Sequence, residues 1–276
     1  MDLMIAGWER LEGATLDLLL AACFFVPLGL LVNWRRLRAG IAPLREETRF
    51  NLTVFAIDVL FVTPIIVMLV YQMRLAMPDS LIPGLTPETY ALIGIPLTAF
   101  LAVFAGDATS YFRHRLEHSR LLWPAHVMHH SDRAMTFLAI FRFHPVNRLT
   151  TALIDGFVLA ALGFPAWAVV INSLVRHYYG MFIHADLPWT YGPLGRFFVS
   201  PAMHRWHHVR EGAGVGSNFA TVFSIFDQLF GTYYVPGPCR EPLGVTEAAG
   251  KGVSGQLAHP IRIWSRALTP RRPEEA

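Results

Sequence analysis

Three apolar runs constrain the chain more than any other feature: Leu18 to Val32, continuing into Asn33 and Trp34, then Leu52 to Tyr71, then about Tyr90 to Ala105. Each approaches the roughly 20 residues with which an α-helix crosses about 30 Å of hydrocarbon, the third by continuing past Gly106. A helix satisfies its own backbone polar groups where lipid cannot, so the runs predict an all-α, multi-pass membrane protein. Composition agrees, because only 16% of the 276 residues are charged, against about a quarter in a soluble domain. A freely soluble enzyme is excluded on that ground. The net charge of +3 is too small and too dispersed for a nucleic-acid surface. Met1 to Asp17 carries only Arg10 as a basic residue, so the first run does not read as a cleaved signal.

Arg35, Arg36, Arg38, Arg45 and Arg49 follow the first run, whereas the loop after the second has Arg74 against Asp79 and Glu88. The excess of basic residues puts the first of these loops in the cytoplasm, and the third run then exits there too. A fourth apolar stretch, Leu149 to Ile183, is broken by Gly163, Phe164 and Pro165. At 1.5 Å per residue its length is roughly 50 Å, too long for one crossing. It reads as a helical hairpin that enters the membrane and returns, rather than as one kinked helix, because Pro commonly ends helices. The domain reading is 1–105 as transmembrane helices, 106–236 as a histidine-rich catalytic unit that includes the hairpin at about 149–183, and 237–276 as a C-terminal tail. After about Gly250, the tail, with Arg271, Arg272, Pro273, Glu274 and Glu275 near its end, is expected to be solvated and poorly ordered.

Cys23 and Cys239 are isolated, so any metal must be held by other ligands. Histidine supplies them: of twelve, all but His259 lie between His114 and His208. Asp107, Tyr111, His114 and His118 step by four, three and four, one stripe of a helix continuing from the third run. His126, His129 and His130 fall at i, i+3 and i+4 after Pro124, and His204, His207 and His208 repeat that spacing after Ser200 and Pro201. Clustered imidazoles at a membrane surface repel if protonated and need partners if neutral. Metal ligation answers both, and eight ligands exceed one ion, so two metals are implied. His184 is the best ninth ligand. His144, before Pro145, is biased towards an extended or N-cap conformation, with ligand, supporting and substrate-side roles all open. His259 reads as an ordinary residue, and so does His177, with a ligand role left open because it lies one heptad before His184 and could share its face. A pH-sensing cluster is the competing reading of the histidines. His114 to His118 is also formally HxxEH, the pattern of a zinc peptidase with Glu117 as general base, but that reading leaves both triplets idle.

The stretches DATSYFRHRLEH, LWPAHVMHHSD, FRFHP, FIHADLP, SPAMHRWHH and SNFATVFSIFDQLFGTYYVP, covering about 107 to 236, resemble the fatty acid hydroxylase and sterol desaturase superfamily of integral-membrane di-iron oxygenases. The resemblance implies transmembrane helices capped by a cytoplasmic helical domain, with two iron ions at the bilayer surface. By position, His114, His118, His126, His129, His130, His184, His204, His207 and His208 inherit the ligand roles. Asp107, Tyr111, Asn218 and Asp227 match supporting positions, with Phe219-Ala220 and Phe226 departing from the family's usual residues. The implied chemistry is O2-dependent hydroxylation, or desaturation, of a lipid C–H bond, with zinc conceivable as a substituted metal. Phe104, Phe112, Phe137, Phe141, Phe143 and Trp206 are candidates to line an apolar substrate passage, against the commoner role of core packing. Nothing in the chain stores electrons, so a separate ferredoxin or cytochrome b5 type donor is expected. Arg133, Arg142, Arg148 and Arg210 are candidates for its docking, against snorkelling at the interface. The other class to be distinguished is a metal-binding membrane hydrolase or inactive relative.

Overall fold

The structure is a computed structural model that describes residues 2–37 and 42–268. Arg38 and the tail residues Arg271, Arg272, Pro273, Glu274 and Glu275 lie outside the described residues, as do the side chains of Asn33, Trp34, Arg35 and Arg36. The described residues are helical, with isolated bridges but no strand. In chain order the helices are α1 Asp2–Leu37, α2 Ala42–Ile57, α3 Thr63–Ala76, α4 Pro87–Ile93, α5 Ile95–Glu117, α6 Trp123–His130, α7 Pro145–Thr150, α8 Gly156–Ala161, α9 Ala166–His184, α10 Pro201–His207, α11 Ile225–Leu229, α12 Gly252–Leu257 and α13 His259–Leu268.

Among the described residues, three helical stretches are long and apolar enough to span a membrane: Glu9–Val32, Ala42–Ala76 and Ile95–Glu117. Their outward residues, such as Leu20, Phe24, Leu31, Ile65, Val67 and Phe100, are exposed in the isolated chain. That is the surface that a lipid solvent, rather than water, would cover. The second stretch passes from α2 to α3 through a π-helical segment, Asp58–Val62. Its cause is in the sequence: Pro64 lacks the N–H that would continue the α-helical ladder, and Thr63 Oγ1 donates to Asp58 Oδ2 at 3.1 Å. The third span begins at Ile95, not Tyr90, because Gly94 at φ 82° breaks the chain between α4 and α5. From there α5 runs unbroken past Gly106 to Glu117.

The stretch 145–184 leaves the histidines, turns and comes back. It consists of α7, a second π-helical segment Thr151–Asp155, α8, a turn and α9. Asn147 near its start and His184 at its end both contact histidines of α6. Its turn packs at the other end of the molecule, where Ala161 O accepts from Leu81 N at 2.9 Å and Leu162 O accepts from Tyr90 Oη at 2.9 Å. Gly163 sits in that turn at φ 75°, and a Cβ there would overlap the backbone of Leu85.

Beyond Gly250 the fold corrects the expectation of a poorly ordered tail. The segment 252–268 forms α12 and α13, which pack on α6 and α2. Gln256 Oε1 accepts from Ser131 Oγ at 3.0 Å, Trp264 Nε1 donates to Leu121 O at 2.9 Å, and His259 is buried. Long-range partners on the helical cap supply what local composition did not disclose. Arg142 is a second correction: it is buried, with Nε donating to Met128 O at 2.9 Å and Nη1 paired with Glu47, so it is not a docking residue. Arg148 is likewise engaged, its Nε 2.8 Å from Asp58 Oδ1. Arg133 and Arg210 remain exposed.

Candidate metal centre

The histidines arrive on two long helices, α5 and α9, and on two short ones, α6 and α10. Helix α5 delivers His114 and ends with His118 as its C-cap. Helix α6 begins at Trp123-Pro124, with Pro at a position where its missing N–H costs nothing, and presents His126, His129 and His130. At α10, Ser200 Oγ caps the helix by accepting from Met203 N at 3.1 Å, which fixes the start of the turn that carries His204 and His207, with His208 as C-cap.

The nine histidines converge in two groups. His114, His118, His126, His130 and His207 form one; His129, His184, His204 and His208 form the other. Within each, the ring nitrogens offered lie within 4.8 Å of one another. The two triplets are interleaved rather than assigned one to each group. Phe143 stacks on His129 with ring centroids 4.4 Å apart, and Trp123 lies 5.1 Å from His118 by the same measure.

The remaining nitrogens decide the tautomers. His114 Nδ1 donates to Phe219 O at 2.8 Å, His207 Nδ1 to Ser217 O at 2.6 Å and His184 Nδ1 to Gly180 O at 2.6 Å. A carbonyl only accepts, so in each neutral ring Nε2 is a bare acceptor. Yet the Nε2 atoms of His114 and His207 stand 3.0 Å apart. Two lone pairs at that distance repel, and a second proton would bury a cation among imidazoles. Burial itself opposes such protons: it holds His207 at about 4, and it pushes His118, His126, His129, His130, His204 and His208 well below the usual histidine range. Several ring atoms are buried with no hydrogen-bond partner among the described residues, including His118 Nε2, His130 Nε2 and His204 Nδ1. About 3 Å is the spacing of two nitrogens each roughly 2.1 Å from one ion at near right angles. The donor set therefore fits metal ions, in the neutral state that ligation requires.

Around the rings lies a supporting network. Asp107 is fully buried and its carboxylate accepts from the backbone N–H groups of Thr221, Val222 and Phe223, the shortest at 2.7 Å. Asp227 accepts from Phe219 N at 2.7 Å, Ala220 N at 3.0 Å and Thr232 Oγ1 at 2.7 Å. Tyr111 Oη meets Thr232 Oγ1 at 2.9 Å. These residues do not face the centre; they hold the 217–223 segment whose carbonyls orient His114 and His207. Asn218, at φ 59° in the left-handed region, bends that segment and ties it to Met203 O and Tyr234 O. His144 lies outside both groups: as N-cap of α7 its Nδ1 accepts from Val146 N at 3.1 Å, and its Nε2 donates to Leu257 O at 3.0 Å. His177 and His259 also lie outside both groups.

Asn147 was not singled out by the sequence. Its side-chain amide lies 3.3 Å from His126 Nδ1, and Glu117 Oε2 is 3.5 Å from the same atom. The carbonyls of Ser217, Phe219 and Gly180 were equally invisible, since a backbone acceptor has no residue signature.

A cavity of about 710 Å³ reaches this centre from among α1, α2, α3, α5 and α9. His114, His126, His129, His184 and His204 stand in its wall. The rest is mostly apolar and includes Phe55, Phe141, Phe143, Ile140, Leu159 and Met181. Of the six aromatics expected along a passage, Phe141 and Phe143 line it. Phe104, Phe137 and Trp206 pack in apolar clusters, and Phe112 packs on Tyr111 and Phe230.

An all-helical membrane-type fold with a buried histidine cluster and an apolar cavity defines the class. Residues 99–232 match the family model described as fatty acid hydroxylase. The match covers just under half of the chain and makes that segment similar to the fatty acid hydroxylase family. It is 32% identical to the ornithine lipid hydroxylase OlsE of Rhizobium tropici over 168 residues, 60% of this chain and 51% of that protein. It is 29% identical to the alkylglycerol monooxygenase of Caenorhabditis elegans over 139 residues, covering 50% of this chain and 27% of the relative. With the human alkylglycerol monooxygenase the identity is 29% over 185 residues, 64% of this chain and 38% of the relative. The chain thus spans about a quarter to a half of the length of these relatives. No solved structure matches it.

Proposed function

We propose that the protein is a membrane-bound di-iron lipid hydroxylase that uses O2 and two electrons, with residues 106–236 as its catalytic unit. The observation that carries the reading is the pair of bare Nε2 atoms of His114 and His207 at 3.0 Å, at one end of an apolar cavity. His114, His118, His126, His130 and His207 would hold one iron, and His129, His184, His204 and His208 the other. When bound, the irons supply the oxidant that attacks an unactivated C–H bond, which no side chain does. The protein contributes the rest. Carbonyls of Ser217, Phe219 and Gly180 fix the ring orientations, Phe143 and Trp123 shield the rings from water, and the apolar wall of the cavity holds an acyl or alkyl chain against the histidines. Hydroxylation is favoured over desaturation because the relatives are named as a hydroxylase and monooxygenases.

Electrons come from a separate ferredoxin or cytochrome b5 type donor on the cytoplasmic face, where the histidine-rich end lies in this reading. Of the four arginines considered for its docking, Arg133 and Arg210 are the exposed ones. The zinc-peptidase alternative is disfavoured by Glu117. Its Oε1 accepts from Thr150 Oγ1 at 2.6 Å and its Oε2 from Arg113 Nη1 at 3.0 Å, so neither oxygen is placed to activate water.

The test is metal identity and content on detergent-purified protein, wild type against a His207→Ala/His208→Ala variant, followed by lipid hydroxylation with O2 and a reductant. About two irons per chain, lost in the variant, with a hydroxylated lipid product, support the reading. One zinc retained in the variant would sink it.

A further inference from the structure

The cavity wall is not uniformly apolar: it includes Arg10, Asp17, Asp58 and Arg148, and a further set of polar groups runs along two facing helices. On α9, Asn172, Arg176, Gly180 and His184 recur every fourth residue, which places them on one face. On α5, Gly106, Ser110, Arg113 and His114 lie opposite. The ionic members of this strip are matched to each other. Arg113 Nε is 2.9 Å from Asp155 Oδ1, Arg113 Nη1 is 3.0 Å from Glu117 Oε2, and Arg176 Nη1 is 2.8 Å from Asp155 Oδ2. The π-helical segment 151–155 is what presents Asp155 to both arginines, and such segments recur at functional sites. Two arginines and two carboxylates balance in this strip, as Arg10 and Arg148 balance Asp17 and Asp58 elsewhere in the wall, which leaves no net charge for a phosphate or an ammonium group.

Asn172 has no charged partner of this kind, whereas the other atom of the strip buried without a hydrogen bond, Arg176 Nε, lies 3.9 Å from Asp107 Oδ1. Asn172 is 3% exposed, it lines the cavity, and no hydrogen bond reaches its amide among the described residues. Its side chain sits against Gly106, where a Cβ would overlap Oδ1, so the absence of a side chain on α5 makes the room that the amide occupies. A buried polar group without a partner is destabilising, and polar residues inside membrane helices mark substrate pathways. Oδ1 is the fully buried atom, packed against Gly106, so the amide N–H is the group left to meet a ligand, and its complement is an oxygen acceptor such as that of an amide or a hydroxyl.

We propose that Asn172 binds the uncharged amide or hydroxyl of the lipid substrate and so sets which carbon is presented to the metal centre. The inference rests on the lipid-hydroxylase reading for its consequence, although not for the binding itself. Gly106 and His114 are eight positions apart on one helix, so the anchored group and the histidines are separated by roughly 12 Å along α5. Carbons at about that distance from the polar group are the ones oxidised. Asn172 is a positioning residue here; it does not touch the reacting atoms.

Binding separates the claim from turnover. Purified full-length protein in detergent is loaded with radiolabelled octadecanamide and competed with unlabelled octadecanamide, 1-octadecanol or octadecane. Wild type is expected to prefer the amide and the alcohol over the alkane by at least about tenfold, and Asn172→Leu to reduce that preference to within about twofold with metal content unchanged. Gly106→Ala keeps the amide but displaces it, and is expected to do the same; it decides the matter if Asn172→Leu does not fold. Equal affinity of wild type for octadecanamide and octadecane would overturn the proposal, as would an unchanged preference in a folded Asn172→Leu or, failing that, Gly106→Ala. If the preference is found and lost as expected but no lipid is hydroxylated by wild type with O2 and a reductant, the anchor stands and the oxygenase reading falls.

Discussion

The Nε2 atoms of His114 and His207 face each other at 3.0 Å while each ring donates from Nδ1 to a backbone carbonyl, Phe219 O and Ser217 O. Residues 93 positions apart are thus locked in the tautomer that turns two lone pairs towards one point. A cation at that point relieves the repulsion, which gives the arrangement its first expected consequence. His207→Ala and His129→Ala, one from each group, should each lose metal and abolish activity while the chain still inserts into membranes. Metal analysis and membrane fractionation check this, and full activity in either variant would refute the ligand assignment.

Asp107 acts on the centre at a distance, through the N–H groups of Thr221, Val222 and Phe223. Asparagine in its place turns one acceptor into a donor that faces N–H groups. Asp107→Asn is therefore expected to cost about 1–3 kcal/mol of stability and to weaken metal retention about 10- to 100-fold, with the histidines intact. Thermal unfolding and metal titration in detergent measure the two effects. A variant that unfolds normally and holds metal as wild type does would remove Asp107 from the supporting role.

Acid sensitivity has a defined direction. In the unfolded chain a histidine takes up a proton below about 6.5, whereas burial holds His207 in the fold at about 4. Between those values the unfolded state binds more protons, so stability rises with pH and falls on acidification through that window. The other buried histidines of the cluster outside the spans shift in the same direction and add to it. Unfolding midpoints of metal-free protein from pH 7 down to pH 4 should drop, and a flat profile would contradict the buried neutral cluster.

Arg142 ties the helical cap to the second membrane stretch, pairing with Glu47 of α2 beside Asn51 and Asp132. Removing one partner of a buried ion pair strands the other, at about 3–5 kcal/mol. Arg142→Ala should lower the thermal midpoint far more than Arg133→Ala, since the Arg133 side chain is 74% exposed. Equal midpoints for the two variants would show that the pair carries no structural weight.

Much of this molecule is legible from residue order. Apolar runs of sufficient length permit only helices in lipid, and the i, i+3, i+4 spacing of His126, His129 and His130 places three rings on one face whatever they contact. Ser200 before Pro201 marks a helix start because a hydroxyl there meets an otherwise unpaired N–H. Each of these is a local rule, satisfied within a turn or two of backbone. The order of α12 and α13 was not legible, since it comes from Trp264 and Gln256 reaching a cap more than a hundred residues away. Nor was the role of His144 settled, because its ring is committed to Leu257 O, a partner that no spacing reveals. The sequence by itself determined that the chain is helical, membrane-spanning and rich in helix-borne imidazoles. The tertiary structure alone decided how nine of them divide into groups of five and four, which backbone carbonyls fix their tautomers, and that Asn172 is left unpartnered beside Gly106. Those outcomes depend on contacts between distant segments, and no local pattern encodes which distant segments will meet.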